Sequence, residues 1–144
     1  MFRKITDSLY AAPQITVAEV AEAHALGVGL IVNNRPEGES PDQTPGDEIA
    51  AAAAAHGIAY VAIPVTHAGF SIAQVEALEA ALAGAGDAPV LAYCRSGTRS
   101  TLLWALTTAK AGGNPDEIAA RAAAAGYDVS PIRPQLDILS AQAG

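Results

Sequence analysis

The chain has 144 residues, a formal net charge of -7 and one cysteine, and 51% of its residues are hydrophobic. This length fits one compact domain over residues 1–144, with enough apolar surface to build a core. Because sequence-independent binding to a nucleic acid requires a basic surface, the acidic charge argues against nucleic acid as a partner.

No segment of the sequence predicts contact with a membrane. Residues 1–13 contain two basic side chains but no continuous apolar stretch of signal-peptide length, and no later stretch is long enough to span a bilayer. One cysteine cannot form an internal disulfide, which fits a reducing compartment. We therefore expect a cytoplasmic protein whose thiol is free for chemistry.

In chain order, the sequence predicts strands that alternate with helices. Thr16 with Glu19 and Ser71 with Gln74 form capping-box patterns at two helix starts, and Asn114 is placed to cap a third. The predicted elements are a strand at 8–12, a helix at 16–26, a strand at 28–33, a helix at 48–56, a strand at 58–65, a helix at 71–83, a strand at 89–93, and helices at 99–111, 115–125 and 133–141.

This alternation predicts an α/β fold of three layers, α/β/α, with a mainly parallel sheet covered on both faces. In such sheets, ligands bind beyond the carboxyl ends of the strands. The turns at 33–35 and 66–67 and the loop after Tyr93 all fall at that edge, so they are predicted to meet at one site. The long polar loop at 34–47 also follows a strand there, and loops of this length are often functional.

The segment Cys94–Ser100, which reads Cys-Arg-Ser-Gly-Thr-Arg-Ser, carries the chemistry. It joins a buried-looking strand to an apolar helix, an arrangement that directs backbone N–H groups at one anion. A cation or a helix N-terminus favours the thiolate, the nucleophilic form of cysteine. Arg95 and Arg99 make this loop a positive spot on an acidic protein, which predicts a small anionic substrate.

The alternative interpretation is that Cys94 is a small buried hydrophobe at the end of a strand, where free cysteines are common. Two arginines, a glycine and several hydroxyl residues around the thiol do not resemble a core. The flanking residues therefore favour a functional site.

The sequence resembles the phosphatase-like domain family of beta-lactamase hydrolase-like proteins in several separated segments. These are the Cys94–Ser100 pattern, the preceding Pro-Val-Leu-Ala-Tyr, the Asn33-Asn34-Arg35-Pro36 segment and the strand from Tyr60 to Val65. The resemblance covers roughly residues 3–112 and implies the fold of the tyrosine and dual-specificity phosphatases. It also implies that Cys94 is the nucleophile, that Arg99 binds the oxyanion and that the Ser100 hydroxyl supports the thiolate. The amides that surround the anion would come from Arg95, Ser96, Gly97 and Thr98.

Two departures from the phosphatase pattern affect the predicted reaction. Four residues separate Cys94 from Arg99, whereas the phosphatases have five, and the shorter loop is similar to that of the rhodanese sulfurtransferases. The phosphatases also use an aspartate from a neighbouring loop as general acid, and here His67 stands about where that aspartate is expected. A narrower ring of donors suits the single outer sulfur of a persulfide better than a phosphoryl group.

Several residues are candidates for accessory roles. His67 is either a general acid or an ordinary loop residue, and Asp42 or Asp47 can replace it if the long loop folds over the site. Arg35 is either a second anion contact or a loop arginine paired with a nearby acid such as Glu37. The histidines lack metal-ligand spacing, so neither a metal nor another cofactor is predicted.

Three functions follow, and we favour the first. Cys94 carries a sulfane sulfur as a persulfide and passes it to an acceptor, as in a sulfurtransferase. In the alternative, Cys94 hydrolyses phosphate monoesters through a phosphocysteine. In a further alternative, the loop is a noncatalytic oxyanion or redox sensor.

Overall fold

The computed structural model describes residues 1–143 and contains a five-stranded sheet. The strands are β1 (Arg3–Thr6), β2 (Leu9–Ala12), β3 (Leu30–Asn33), β4 (Ala59–Ala62) and β5 (Val90–Tyr93). Their order across the sheet is β1-β2-β5-β3-β4. Strand β1 pairs antiparallel with β2, and all other pairs are parallel. The predicted mainly parallel sheet is therefore confirmed.

Six helices cover the sheet. They are α1 (Val17–Ala25), α2 (Gly46–Ala55), α3 (Ile72–Ala85), α4 (Thr98–Lys110), α5 (Pro115–Ala124) and α6 (Arg133–Ala143), with a 3-10 turn at Ser130–Ile132 before α6. The buried residues of α1 and α2 pack on one face of the sheet, and those of α3 to α6 pack on the other. These three layers are the predicted α/β/α arrangement.

Strand β5 shows why the central strands are apolar throughout. Leu91 and Tyr93 join the core under α1 and α2, whereas Val90 and Ala92 join the core under α3 to α6. Successive side chains of a strand point to opposite faces, and here both faces are covered by helices. The apolar run before Cys94 is thus needed to fix the strand that carries the cysteine.

The capping predictions are confirmed. Thr16 and Glu19 exchange side-chain and backbone hydrogen bonds at the start of α1, and Ser71 and Gln74 do the same for α3. The Asn114 carboxamide oxygen accepts backbone N–H groups at the start of α5.

The sequence prediction missed β1. Arg3 and Lys4 are exposed and Ile5 alone is buried in this strand, so it has no apolar run that would signal it. Its pairing with β2 at the edge of the sheet supplies the hydrogen bonds instead. Helix α2 also begins two residues earlier than predicted, at Gly46, so the polar loop between β3 and α2 spans residues 34–45.

Candidate active site

The loops at the carboxyl ends of the parallel strands meet, as predicted. The Asn34 backbone N–H donates to the Tyr93 carbonyl at 2.8 Å, and its side-chain amide donates to the Ile63 carbonyl at 2.9 Å. The Gln14 backbone N–H donates to the Arg95 carbonyl at 3.2 Å. Asn34 thereby ties the ends of three neighbouring strands together beside the cysteine.

The cradle loop, residues 94–100, turns directly from β5 into α4. Cys94 is fully buried, and the Gly97 backbone N–H donates to its Sγ at 3.1 Å. The loop thus directs one backbone amide at the cysteine sulfur. Gly97 has φ +94°, in the left-handed region, and this turn lets Thr98 begin α4 immediately.

The two terminal nitrogens of the Arg99 guanidinium, Nη1 and Nη2, are held by hydrogen bonds. Its Nη1 and Nη2 donate to the two carboxylate oxygens of Glu39 at 2.8 and 2.9 Å, and Nη1 also donates to the Val65 carbonyl at 2.6 Å. A guanidinium has five N–H groups, so Nε–H and one Nη2–H are not used by the bonds to Glu39 and Val65. These two groups form one edge of the fork, which suits an oxyanion.

The pKa of Arg99 is raised, first by its hydrogen bonds with Glu39 and further by the nearby Cys94 sulfur. The sulfur and the guanidinium are therefore neighbours in the site. The roles of Cys94 as nucleophile and of Arg99 as anion-binding residue stay predictions.

Glu39, in the polar loop, was missed by the sequence prediction. Its carboxylate lies between two arginines, because Arg35 Nε donates to it at 3.0 Å while Arg99 holds it by the bidentate contact. The hydrogen bonds from Arg99 and then Arg35 lower the pKa of Glu39 to about 2, against the cost of partial burial. A single glutamate in an acidic loop gives no signal in the sequence, since only the fold brings both arginines to it.

Arg35 fits the second of the two roles that the sequence left open, a loop arginine paired with a nearby acid. It is 4% exposed, and besides Glu39 it donates to Gln14 Oε1 at 3.1 Å and to Ser40 Oγ at 3.0 Å. Its nitrogens are thus used to hold the polar loop, and the acid it pairs with is Glu39, not Glu37. Arg35 is a support of the carboxylate that anchors Arg99.

The Ser100 hydroxyl also differs from its predicted role. It donates to the Asn34 carboxamide oxygen at 2.8 Å, and both residues are buried. In this arrangement the hydroxyl joins α4 to the end of β3 and is not directed to the thiolate. The reason is that a buried carboxamide oxygen needs a donor, and Ser100 supplies it.

Within residues 1–143, none of the three candidate general acids forms a hydrogen bond or ion pair with the cradle loop. His67 is exposed in the loop before α3, Asp47 is exposed on α2, and Asp42 is exposed and accepts from Ser40 Oγ at 2.6 Å. The bond from Ser40 lowers the pKa of Asp42, which keeps this carboxyl ionised. The role of His67, Asp42 or Asp47 as a general acid therefore stays a prediction.

Arg95, Ser96 and Thr98 line the exposed rim of the cradle loop. The Ser96 and Thr98 hydroxyls bond to each other at 3.0 Å, and the Thr98 N–H donates to Ser96 Oγ at 3.3 Å. The Ser96 carbonyl accepts a hydrogen bond at 3.2 Å from the hydroxyl of Tyr127, which follows α5. Tyr127 is a second residue that the sequence prediction missed.

Within residues 1–143, no three His, Cys, Asp or Glu side chains are grouped in a way that would hold a metal ion. In the same range, no helix combines the length and apolarity needed to cross a bilayer.

The chain is similar in sequence and structure to several known proteins. The family model of the beta-lactamase hydrolase-like protein, phosphatase-like domain, matches residues 1–111. A beta-lactamase hydrolase-like protein of Xylella fastidiosa is 38% identical over 104 residues, which are 72% of this chain and 24% of that protein. The chain therefore spans about a quarter of the length of the curated relatives it matches.

Solved structures extend the similarity to the C-terminal helices. A structure from Neisseria meningitidis, described as a "putative phosphatase", is 36% identical with a TM-score of 0.82, and the match covers 95% of this chain and 96% of that one. The crystal structure of PTPMT1 is 15% identical with a TM-score of 0.72, covering 99% and 98%, and shows that the fold is tyrosine phosphatase-like. The cysteine loop, the fold and these matches together place the chain in the phosphatase-like domain family of beta-lactamase hydrolase-like proteins.

Proposed function

We propose that this chain is an enzyme in which Cys94 Sγ takes a group from a small anionic substrate and holds it covalently. The observation that carries the proposal is the pairing of a Gly97 N–H on Sγ with a free edge of Arg99 beside it. The first supports the nucleophile, and the second binds the charge of the group under attack.

The first candidate reaction is hydrolysis of a phosphate monoester. The loop length by itself favours sulfur transfer, but the comparisons support hydrolysis better. The family is described as a phosphatase-like domain, and the Neisseria relative is described as a phosphatase. The thiolate attacks phosphorus, an S–P bond forms, and the ester P–O bond breaks with its electron pair on the leaving oxygen. Water then attacks phosphorus, a new O–P bond forms, and the S–P bond breaks with its electron pair on sulfur, which releases inorganic phosphate and restores the Cys94 thiolate.

The leaving oxygen is the critical group in this reaction. Within residues 1–143, no carboxyl or imidazole group forms a hydrogen bond or ion pair with Cys94, and an alkoxide leaving group needs a proton donor of that kind. A phenolate leaves without help from an acid because it is a weaker base. We therefore expect aryl phosphates to be hydrolysed much faster than alkyl phosphates.

The second candidate is sulfur transfer, and the four-residue spacing from Cys94 to Arg99 is the specific observation that favours it. The thiolate attacks the outer sulfur of thiosulfate, a new S–S bond forms, and the old S–S bond breaks with its electron pair on sulfite. An acceptor thiolate then attacks the outer sulfur of the persulfide and releases the Cys94 thiolate. Sulfite is a good leaving group, so this reaction needs no general acid.

One pair of measurements separates the candidates. The full chain and its Cys94→Ser variant are incubated with para-nitrophenyl phosphate to follow phosphate release, and with thiosulfate to look for one added sulfur by intact mass. Cys94-dependent phosphate release supports hydrolysis, and a Cys94-dependent added sulfur supports sulfur transfer. If neither occurs, the catalytic proposal is wrong, and tight anion binding without turnover then supports a sensor.

A further inference from the structure

The peptide group between Ser96 and Gly97 is held from both sides. Its N–H belongs to Gly97 and donates to Cys94 Sγ at 3.1 Å. Its carbonyl belongs to Ser96 and accepts from the Tyr127 hydroxyl at 3.2 Å. In a trans peptide, the N–H and C=O point in opposite directions, so a bond that fixes one fixes the other.

This peptide needs to be fixed, because glycine leaves it free to rotate. Gly97 has φ +94° and no Cβ, so the backbone on either side of the peptide has access to more than one conformation. If the peptide plane turned over, the Ser96 carbonyl oxygen would face Sγ in place of the N–H. A carbonyl dipole directed at the sulfur repels negative charge there, so the orientation of this plane matters for a nucleophile at Cys94.

Tyr127 is itself held in position. It is 8% exposed, and the Arg3 guanidinium lies 5.3 Å from its ring centroid while Arg3 Nη1 donates to the Ala125 carbonyl at 3.0 Å. Burial raises the pKa of Tyr127, so its hydroxyl remains a donor over the pH range in which a thiol ionises. A Cβ on Gly97 would also collide with this hydroxyl, which shows how closely the tyrosine approaches the loop.

We propose that Tyr127 is a positioning residue for the nucleophile: its hydroxyl holds the Ser96–Gly97 peptide so that the N–H faces Cys94 Sγ. The inference rests on the proposed role of Cys94 but holds for either candidate reaction. Tyr127 lies in the C-terminal segment, beyond residues 1–111, which the family model matches.

The test is the pH at which Cys94 ionises in Tyr127→Phe, a change that keeps the ring and removes the hydroxyl. The thiolate is followed by its ultraviolet absorbance, with the matching Cys94→Ser protein subtracted at each pH. Loss of one neutral hydrogen bond predicts that the midpoint moves up by about half to one pH unit. Tyr10→Phe is the matched control, because Tyr10 is a partly exposed tyrosine on β2 with no side-chain hydrogen bond among residues 1–143.

A merely structural role gives a different result. If Tyr127→Phe lowers the melting temperature but leaves the thiol midpoint at the wild-type value, or if Tyr10→Phe moves it equally, the proposal is overturned. The thiol titration needs no substrate. A shifted midpoint in a protein that neither releases phosphate nor gains sulfur would therefore support Tyr127 while refuting the proposed function.

Discussion

Replacing Glu39 with glutamine tests whether the carboxylate between the two arginines holds the polar loop against the active site. The variant keeps the size of the side chain but removes its charge, leaving Arg35 and Arg99 facing each other. Arg35 is 4% exposed and Arg99 is 12% exposed, so water compensates little for the loss. We expect a less stable protein and a less well-held Arg99.

The magnitude follows from the pKa of Glu39, which falls from 4.5 to about 2 in the folded protein. A pKa difference of one corresponds to about 1.4 kcal/mol, so a fully dry carboxylate would contribute about 3 kcal/mol. Glu39 is 16% exposed and lies on a surface loop, where solvent screens the charges. We therefore expect Glu39→Gln to lower the free energy of unfolding at pH 7 by about 2 kcal/mol.

The contribution of Glu39 to stability depends on pH. Because folding lowers the pKa of Glu39, its stabilisation is fully present above about pH 4.5 and is lost as the pH falls through about 2. Urea unfolding of wild type and variant from pH 7 to pH 3 should show a constant difference at first and a narrowing one below pH 4.5. Glu22→Gln, an exposed carboxylate on α1, is the control and should stay within about 0.5 kcal/mol of wild type. A difference for Glu39→Gln that is absent at pH 7, or that persists unchanged to pH 3, would refute the reasoning.

Three further variants test the cradle loop and its surroundings. Gly97→Ala should lower the free energy of unfolding by about 2 kcal/mol and abolish activity, because φ is +94° and the new Cβ would collide with the Tyr127 hydroxyl. Urea unfolding and the reaction rate with either substrate measure these two effects. Ser100→Ala leaves the buried Asn34 carboxamide oxygen without its donor and should cost about 1–3 kcal/mol by the same unfolding measurement, so a neutral result would contradict the assigned bond. His67→Ala should change kcat/KM less than about threefold, since a general acid is worth at least about a hundredfold; a larger loss would show that the loop before α3 brings the imidazole to the substrate.

Local patterns accounted for most of the fold. Strand β5 is apolar at every position because both faces of the sheet are covered, and the caps at Thr16, Ser71 and Asn114 mark helix starts through side chains within three residues of the bonds they make. Strand β1 could not be predicted from the sequence, because its stability comes from pairing with β2 and its four residues are mostly polar. Contacts that close within one turn can be predicted from sequence, whereas pairing between segments depends on the assembled sheet.

At the cysteine loop, too, local contacts can be predicted from the sequence and contacts between distant segments cannot. The sequence alone predicts Cys94 and Arg99 as site residues, because a glycine-containing turn between an apolar strand and a helix places both at one helix N-terminus. It did not identify Glu39 or Tyr127, which lie 60 residues before Arg99 and 31 residues after Ser96. Only the tertiary structure brings this carboxylate and this hydroxyl to the loop, and they decide which edge of Arg99 is left for a ligand and which way the Ser96–Gly97 peptide faces.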